Sequence, residues 1–145
     1  MTLGKVPVFG TAKPGINYQD RPGAYAFFFN GQSELAIIET PLGFFLPGGG
    51  VEAGETHEVA LNRELQEEIG WELVSSKLLR QSIQFHWSEF YQKHFKKVGS
   101  FYLVEARPIP GATAHPDHKL RWMEPGIAER SLTQEFQRWA VRQGF

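Results

Sequence analysis

Apolar residues along this chain fall into short runs broken by glycine and proline, and only two stretches carry a helical period. The lead-in contains Gly4, Pro7, Gly10, Pro14 and Gly15, then Pro22-Gly23, which favours extended or looped backbone. Residues 24–29, Ala-Tyr-Ala-Phe-Phe-Phe, read as a buried strand. Asn30-Gly31 supplies a turn, and 34–39, with Leu35-Ala36-Ile37-Ile38 inside, reads as the hairpin partner. Phe44-Phe45-Leu46 makes another short strand that Pro47 ends, and 48–55, beginning with three glycines, is loop by composition.

A helix follows over 58–69. Thr56 stands where an N-cap belongs, and Glu58 lies where the helix dipole favours an acid. Leu61, Leu65 and Ile69 recur at four-residue spacing, and Gly70 stops the helix. Residues 78–85 and 99–105 read as strands, with the aromatic and charged stretch 86–97 as strand ends plus a loop. Three prolines and a glycine make 108–118 a loop, and 120–123 forms a short strand. The chain closes with a helix: Ser131 and Gln134 match a capping box, and Leu132, Phe136, Trp139 and Ala140 form one apolar stripe. This irregular alternation predicts an α/β fold around one mixed sheet, in a single domain over 1–145.

Composition narrows the function classes. The 15 Lys and Arg residues are scattered and the formal net charge is −1, which argues against a nucleic-acid partner needing a basic face. A small anionic substrate needs only a few local cations or a metal ion, so it remains open. The absence of cysteine excludes disulfides, thiolate metal sites and cysteine nucleophiles. No segment approaches the roughly 18 apolar residues of a membrane helix, and the start lacks a secretory pattern, so a cytoplasmic protein is the default expectation.

The chemistry concentrates on the first helix. Glu64, Glu67 and Glu68 stand at i, i+3 and i+4, so their carboxylates share one face and repel. Such an oxygen cluster suits a hard divalent cation, Mg²⁺ or Mn²⁺. Taken alone, an acidic helix face is more often simply solvated. The preceding glycines change the balance, because they let backbone approach an anion or a metal closely.

The two features together resemble the Nudix box. Gly49 is followed after five residues by Glu55 and after seven more by Arg63-Glu64-Leu65-Gln66-Glu67-Glu68-Ile69-Gly70-Trp71. All fixed positions of the family pattern match; Trp71 departs mildly, where a smaller aliphatic is usual. The resemblance implies a Nudix-type α/β/α sandwich around a mixed β-sheet. It also implies a MutT-like hydrolase, dependent on Mg²⁺ or Mn²⁺, that cleaves a diphosphate linkage in nucleotide-type substrates by water attack at phosphorus.

By position, Glu64, Glu67 and Glu68 would hold the metal with the Gly49 carbonyl. Glu64 is the favoured general base, although the family places its base differently among members. Glu55 and Arg63 belong to the pattern and read as an ion pair tying the loop to the helix and orienting Glu64, with direct substrate contact as the alternative role. Many relatives add a late acid from a facing loop. Asp117, in His115-Pro116-Asp117-His118, is the candidate further ligand here, beside a plain turn-capping role.

Outside the box, Arg21, Lys96 and Lys97 are candidate phosphate contacts, as are His115 and His118. Tyr25, Phe27, Trp87, Phe90 and Tyr91 are candidate base platforms, against the commoner role of strand aromatics as core. Neither the ADP-ribose nor the dinucleoside-polyphosphate subtype marker is present. Two alternatives stand beside the hydrolase: a catalytically silent nucleotide-sensing Nudix module, and an RNA 5′-end pyrophosphohydrolase. A homodimer is permitted by the aromatic content and compelled by nothing.

Overall fold

The computed structural model describes residues 6–145, so the first part of the lead-in lies outside the described residues. Its backbone is one long antiparallel hairpin on which the remaining strands assemble. The strands β1 (Val8–Phe9), β2 (Gln19–Phe27), β3 (Leu35–Thr40), β4 (Gly43–Phe45) and β5 (Gly48–Gly50) precede helix α1 (His57–Ile69). The hairpin strands β6 (Trp71–Ser88) and β7 (Lys93–Pro108) follow, then β8 (Lys119–Met123) and helices α2 (Pro125–Ser131) and α3 (Glu135–Arg142). The expected strands at 78–85 and 99–105 are the centres of β6 and β7. Bulges between Leu73 and Ser75 and between Leu78 and Arg80 let so long a pairing bend.

Instead of one sheet, two form. The larger is mixed, in the order β1-β6-β7-β2-β5, and the smaller is antiparallel, β4-β3-β8. Two covered faces explain the unbroken apolar run in β2. Ala24, Ala26 and Phe28 pack with Leu61 and Leu65 of α1, whereas Tyr25 and Phe27 pack with Phe101, Phe136 and Ala140 on the α3 side. Small residues face α1, so that helix sits close to the strand. The result is the expected α/β/α sandwich.

Three expectations are corrected. The Asn30 turn exists, its side-chain oxygen accepting the Gln32 and Glu34 N–H groups. The strands it joins meet only at the Phe29–Leu35 bridge and then part into different sheets. Both edges of β2 are already taken by β7 and β5, and both edges of β3 by β4 and β8. The glycine triplet is a strand, not a loop: β5 pairs antiparallel with 23–25. Gly48, at φ 131°, lies so near β2 that an added Cβ would come 2.8 Å from Tyr25 Cα, so here glycine marks close backbone approach.

The capping box at 131–134 does not form. Ser131 ends α2 and donates to the Ile127 carbonyl, and Gln134 makes no side-chain cap to α3. The helix α2, absent from the sequence reading, was signalled by Pro125 at its first turn. The apolar stripe itself holds, with Leu132, Phe136 and Ala140 buried.

Candidate active site

Local sequence fixes the helix that carries the site. Thr56 Oγ1 accepts the Val59 N–H at 3.2 Å, and Gly70 closes the other end in the left-handed region at φ 71°. The buried side of α1 is Ala60, Leu61, Leu65 and Glu68. Leu61, Leu65 and Glu68 follow the i, i+4, i+7 stripe of a packed helix, so a carboxylate occupies a place where an apolar residue would be expected.

Glu68 is only 7% exposed. One of its oxygens, Oε1, accepts the Gly48 N–H at 2.8 Å. Burial pushes its carboxyl well above the usual range; the Gly48 bond opposes this, and the charges of Glu64 and Glu67 reinforce it. Glu64 is also pushed up, by burial first, with the Arg63 guanidinium pulling the other way. Glu67 stands apart, its side chain 61% exposed.

Arg63 organises the approach to these acids. Its Nε and Nη2 donate to the two oxygens of Glu55 at 2.7 and 2.9 Å. Nη2 also reaches the Gly50 carbonyl at 3.0 Å, and Nη1 reaches Glu64 Oε1 at 3.0 Å. One planar fork thus ties the loop, the glycine strand and the helix together. The Arg63 bonds, with the Glu52 N–H, hold Glu55 down to about 2. Gly49 completes the arrangement: a Cβ there would stand 2.7 Å from Glu64 Oε1.

A family model described as the NUDIX domain matches residues 19–142. The chain belongs to the Nudix family. Solved MutT-type structures share its architecture. The MutT NUDIX hydrolase from Burkholderia pseudomallei is 28% identical, with a TM-score of 0.64 over 88% of this chain and 99% of that one. MutT from Aliivibrio salmonicida and Vibrio cholerae gives 24% identity and a TM-score of 0.65, over 86% of this chain and 96% of that one. The Escherichia coli dihydroneopterin triphosphate pyrophosphohydrolase, at 15% identity, has a TM-score of 0.64 over 85% and 93%. The last two likenesses speak for the fold. No curated protein sequence matches the chain.

The Nudix-box acids fit a divalent cation. Two inward carboxylates beside a glycine cradle are an all-oxygen donor set, and Mg²⁺ commonly takes one or two carboxylates, completing its shell with water and substrate phosphate. Among the described residues no three His, Asp or Glu side chains converge as a ready metal cage. Glu64 and Glu68 face inward while Glu67 turns to solvent, an arrangement that relieves the repulsion among three acids.

The loop facing the box is docked on α1. Its His115 N–H donates to the Glu67 carbonyl at 3.1 Å, and the Ile109 N–H to the Gly70 carbonyl at 2.9 Å. This docking brings His118 to the acids: its Nδ1 lies 3.6 Å from Glu68 Oε2. Asp117 is exposed, its own N–H bound to His115 Nδ1. Sequence offered no local signal for the His118–Glu68 approach, which joins residues fifty apart.

On the other side of the glycine strand lie two cations. Arg21 of β2 stands opposite Lys97 of β7 in the parallel register. Burial, then the Arg21 charge, lowers Lys97 to about 8. The Arg21 guanidinium lies 5.1 Å from the Tyr91 ring centre and 5.2 Å from that of Phe95, and within 3.2 Å of where a Gly50 Cβ would be. Among the described residues no carboxylate lies within ion-pair reach of either cation. Of the candidate base platforms, Tyr25 and Phe27 are core, whereas Trp87, Phe90 and Tyr91 are exposed around the β6–β7 turn.

Proposed function

We propose that this Nudix protein is a divalent-cation-dependent hydrolase that cleaves the diphosphate linkage of nucleoside di- or triphosphate derivatives. The observation that carries this reading is Glu68, a carboxylate held on the packed stripe of α1 beside Glu64, with one backbone N–H among the described residues to offset its charge. A buried acid with so little compensation costs stability, and a site that binds a cation gives it a use.

Glu64, Glu67 and Glu68, with the Gly49 carbonyl, would hold Mg²⁺ or Mn²⁺, and the exposed Asp117 is the outermost candidate ligand. The bound cation would neutralise phosphate oxygens and acidify a water. Glu64 takes the proton from the attacking water at its carboxylate, whose affinity for a proton is raised by burial. The water oxygen bonds to phosphorus as the bridging P–O bond breaks, and the leaving phosphate departs with the bond electrons. Arg63, itself locked by Glu55, holds the Glu64 carboxylate in place. Arg21 and Lys97 receive non-bridging oxygens of the substrate, and Tyr91 offers an exposed ring to its base.

The test measures product release from nucleoside triphosphates, nucleotide sugars and dihydroneopterin triphosphate, with Mg²⁺ or Mn²⁺, for wild type and Glu68→Gln. The pterin is included because one structural neighbour is named for it. Turnover of at least one compound, lost by about 100-fold or more in the variant, is the expected result. Wild-type binding without any cleavage overturns the hydrolase and leaves the nucleotide-sensing module.

A further inference from the structure

The side chain of His118 is 27% exposed, but its Nδ1 is shut off from solvent and has no hydrogen-bond partner among the described residues. A buried nitrogen without a partner is uncommon and calls for a reason. Glu68 Oε2 lies 3.6 Å away, beyond hydrogen-bonding range. The other oxygen of Glu68 is already engaged by the Gly48 N–H, which leaves Oε2 facing the imidazole without a donor of its own. An imidazole nitrogen and a carboxylate oxygen, each able to offer a lone pair, thus lie near each other with a gap between them.

That gap is too wide for a hydrogen bond and matches the spacing of two ligands on one cation. Two ligands each about 2.2 Å from one cation stand about 3.1 to 3.6 Å apart as the angle between them runs from a right angle to a tetrahedral one. The position is also held rather than incidental. The loop carrying His118 is pinned to the end of α1 by the His115 N–H, and the His118 N–H returns to the His115 carbonyl at 3.1 Å. The His115 ring stacks on that of His118 with centroids 4.2 Å apart.

We infer that His118 Nδ1 is a ligand of the cation bound by Glu68, adding one nitrogen to an otherwise all-oxygen set. The inference rests on the metal-dependent reading above. Its chemical consequence is a changed metal preference. Mg²⁺ favours oxygen more strictly than the first-row transition ions do, so one nitrogen ligand shifts the site toward Mn²⁺ relative to an all-oxygen set.

The experiment loads the full chain with Mn²⁺ alone and records pulsed electron paramagnetic resonance for coupling to nitrogen-14. Wild type shows coupling from one imidazole, and His118→Gln binds Mn²⁺ without it. Calorimetric titration gives the second readout: the substitution weakens Mn²⁺ binding by about tenfold or more and Mg²⁺ binding far less. Bound Mn²⁺ without nitrogen coupling in wild type overturns the inference while leaving the hydrolase reading intact, and so does coupling that survives in His118→Gln. Failure of the wild type to bind Mn²⁺ overturns both.

Discussion

Replacing Glu68 with Gln should make the metal-free protein more stable while abolishing its activity. Gln keeps the shape of the side chain and can still accept the Gly48 N–H, but carries no charge. The gain has an upper limit set by the escape route open to wild type, which is to bind a proton. From a reference value of 4.5, protonating Glu68 at pH 7.5 costs three units, or about 4 kcal/mol. Against this, the Gly48 bond weakens from a charged to a neutral acceptor, at about 1 kcal/mol.

The net stabilisation therefore has a ceiling of about 3 kcal/mol, or about 9 °C in Tm for a chain of this size. The pH dependence is fixed in sign. Glu68 is raised in the folded state, so the fold holds more protons than the unfolded chain between 4.5 and its folded pKa, and stability falls as pH rises through that window. At pH 5.0 the limit shrinks to about 0.7 kcal/mol, and wild type and variant converge. The difference in Tm between the two proteins reports the Glu68 charge together with its effect on His118, whose Nδ1 lies 3.6 Å away. Scanning calorimetry in EDTA at both pH values measures it. A variant no more stable than wild type at pH 7.5, or a gap that persists at pH 5.0, refutes the reasoning. Saturating Mn²⁺ should reverse the order, since it stabilises wild type by about 2.7 kcal/mol at a hundred times its Kd.

Arg63→Lys keeps the charge but loses the fork on Glu55 and the reach to Gly50. Denaturant unfolding should show a loss of about 1–3 kcal/mol, and a change below about 0.5 kcal/mol would contradict the tie assigned to it. Both Gly48 and Gly54 have a positive φ that disfavours a side chain, but Gly48→Ala also drives a methyl group into the Ala24 carbonyl, so it should lower Tm by far more than Gly54→Ala, whose added Cβ meets nothing within 4 Å. Lys97→Met should raise KM by about tenfold with little change in kcat. Because Lys97 titrates near 8, the wild-type KM should climb above that pH, and the variant should show no such climb.

What the sequence determined by itself was local. Helix α1 was legible to within a residue, because its cap at Thr56, its leucine spacing and its Gly70 stop act within one or two turns of the chain. The box acids were legible for the same reason: a helix fixes which side chains share a face. Only the tertiary structure decided which strands pair. A strand carries no local mark of its partner, so the Asn30 turn suggested a hairpin that competition for the edges of β2 does not allow. Three glycines looked like a loop, since composition does not show that another backbone passes close enough to exclude a Cβ.

The same division runs through the site. Sequence grouped three equivalent glutamates, and packing made them unequal: Glu68 buried, Glu64 held by Arg63, Glu67 in solvent. Sequence also treated His118 and Lys97 as lone residues. Loop docking on α1 set one beside Glu68, and parallel pairing set the other beside Arg21. Burial and charge proximity depend on which distant segments meet, and these are the quantities that shift a pKa or leave a nitrogen without a partner.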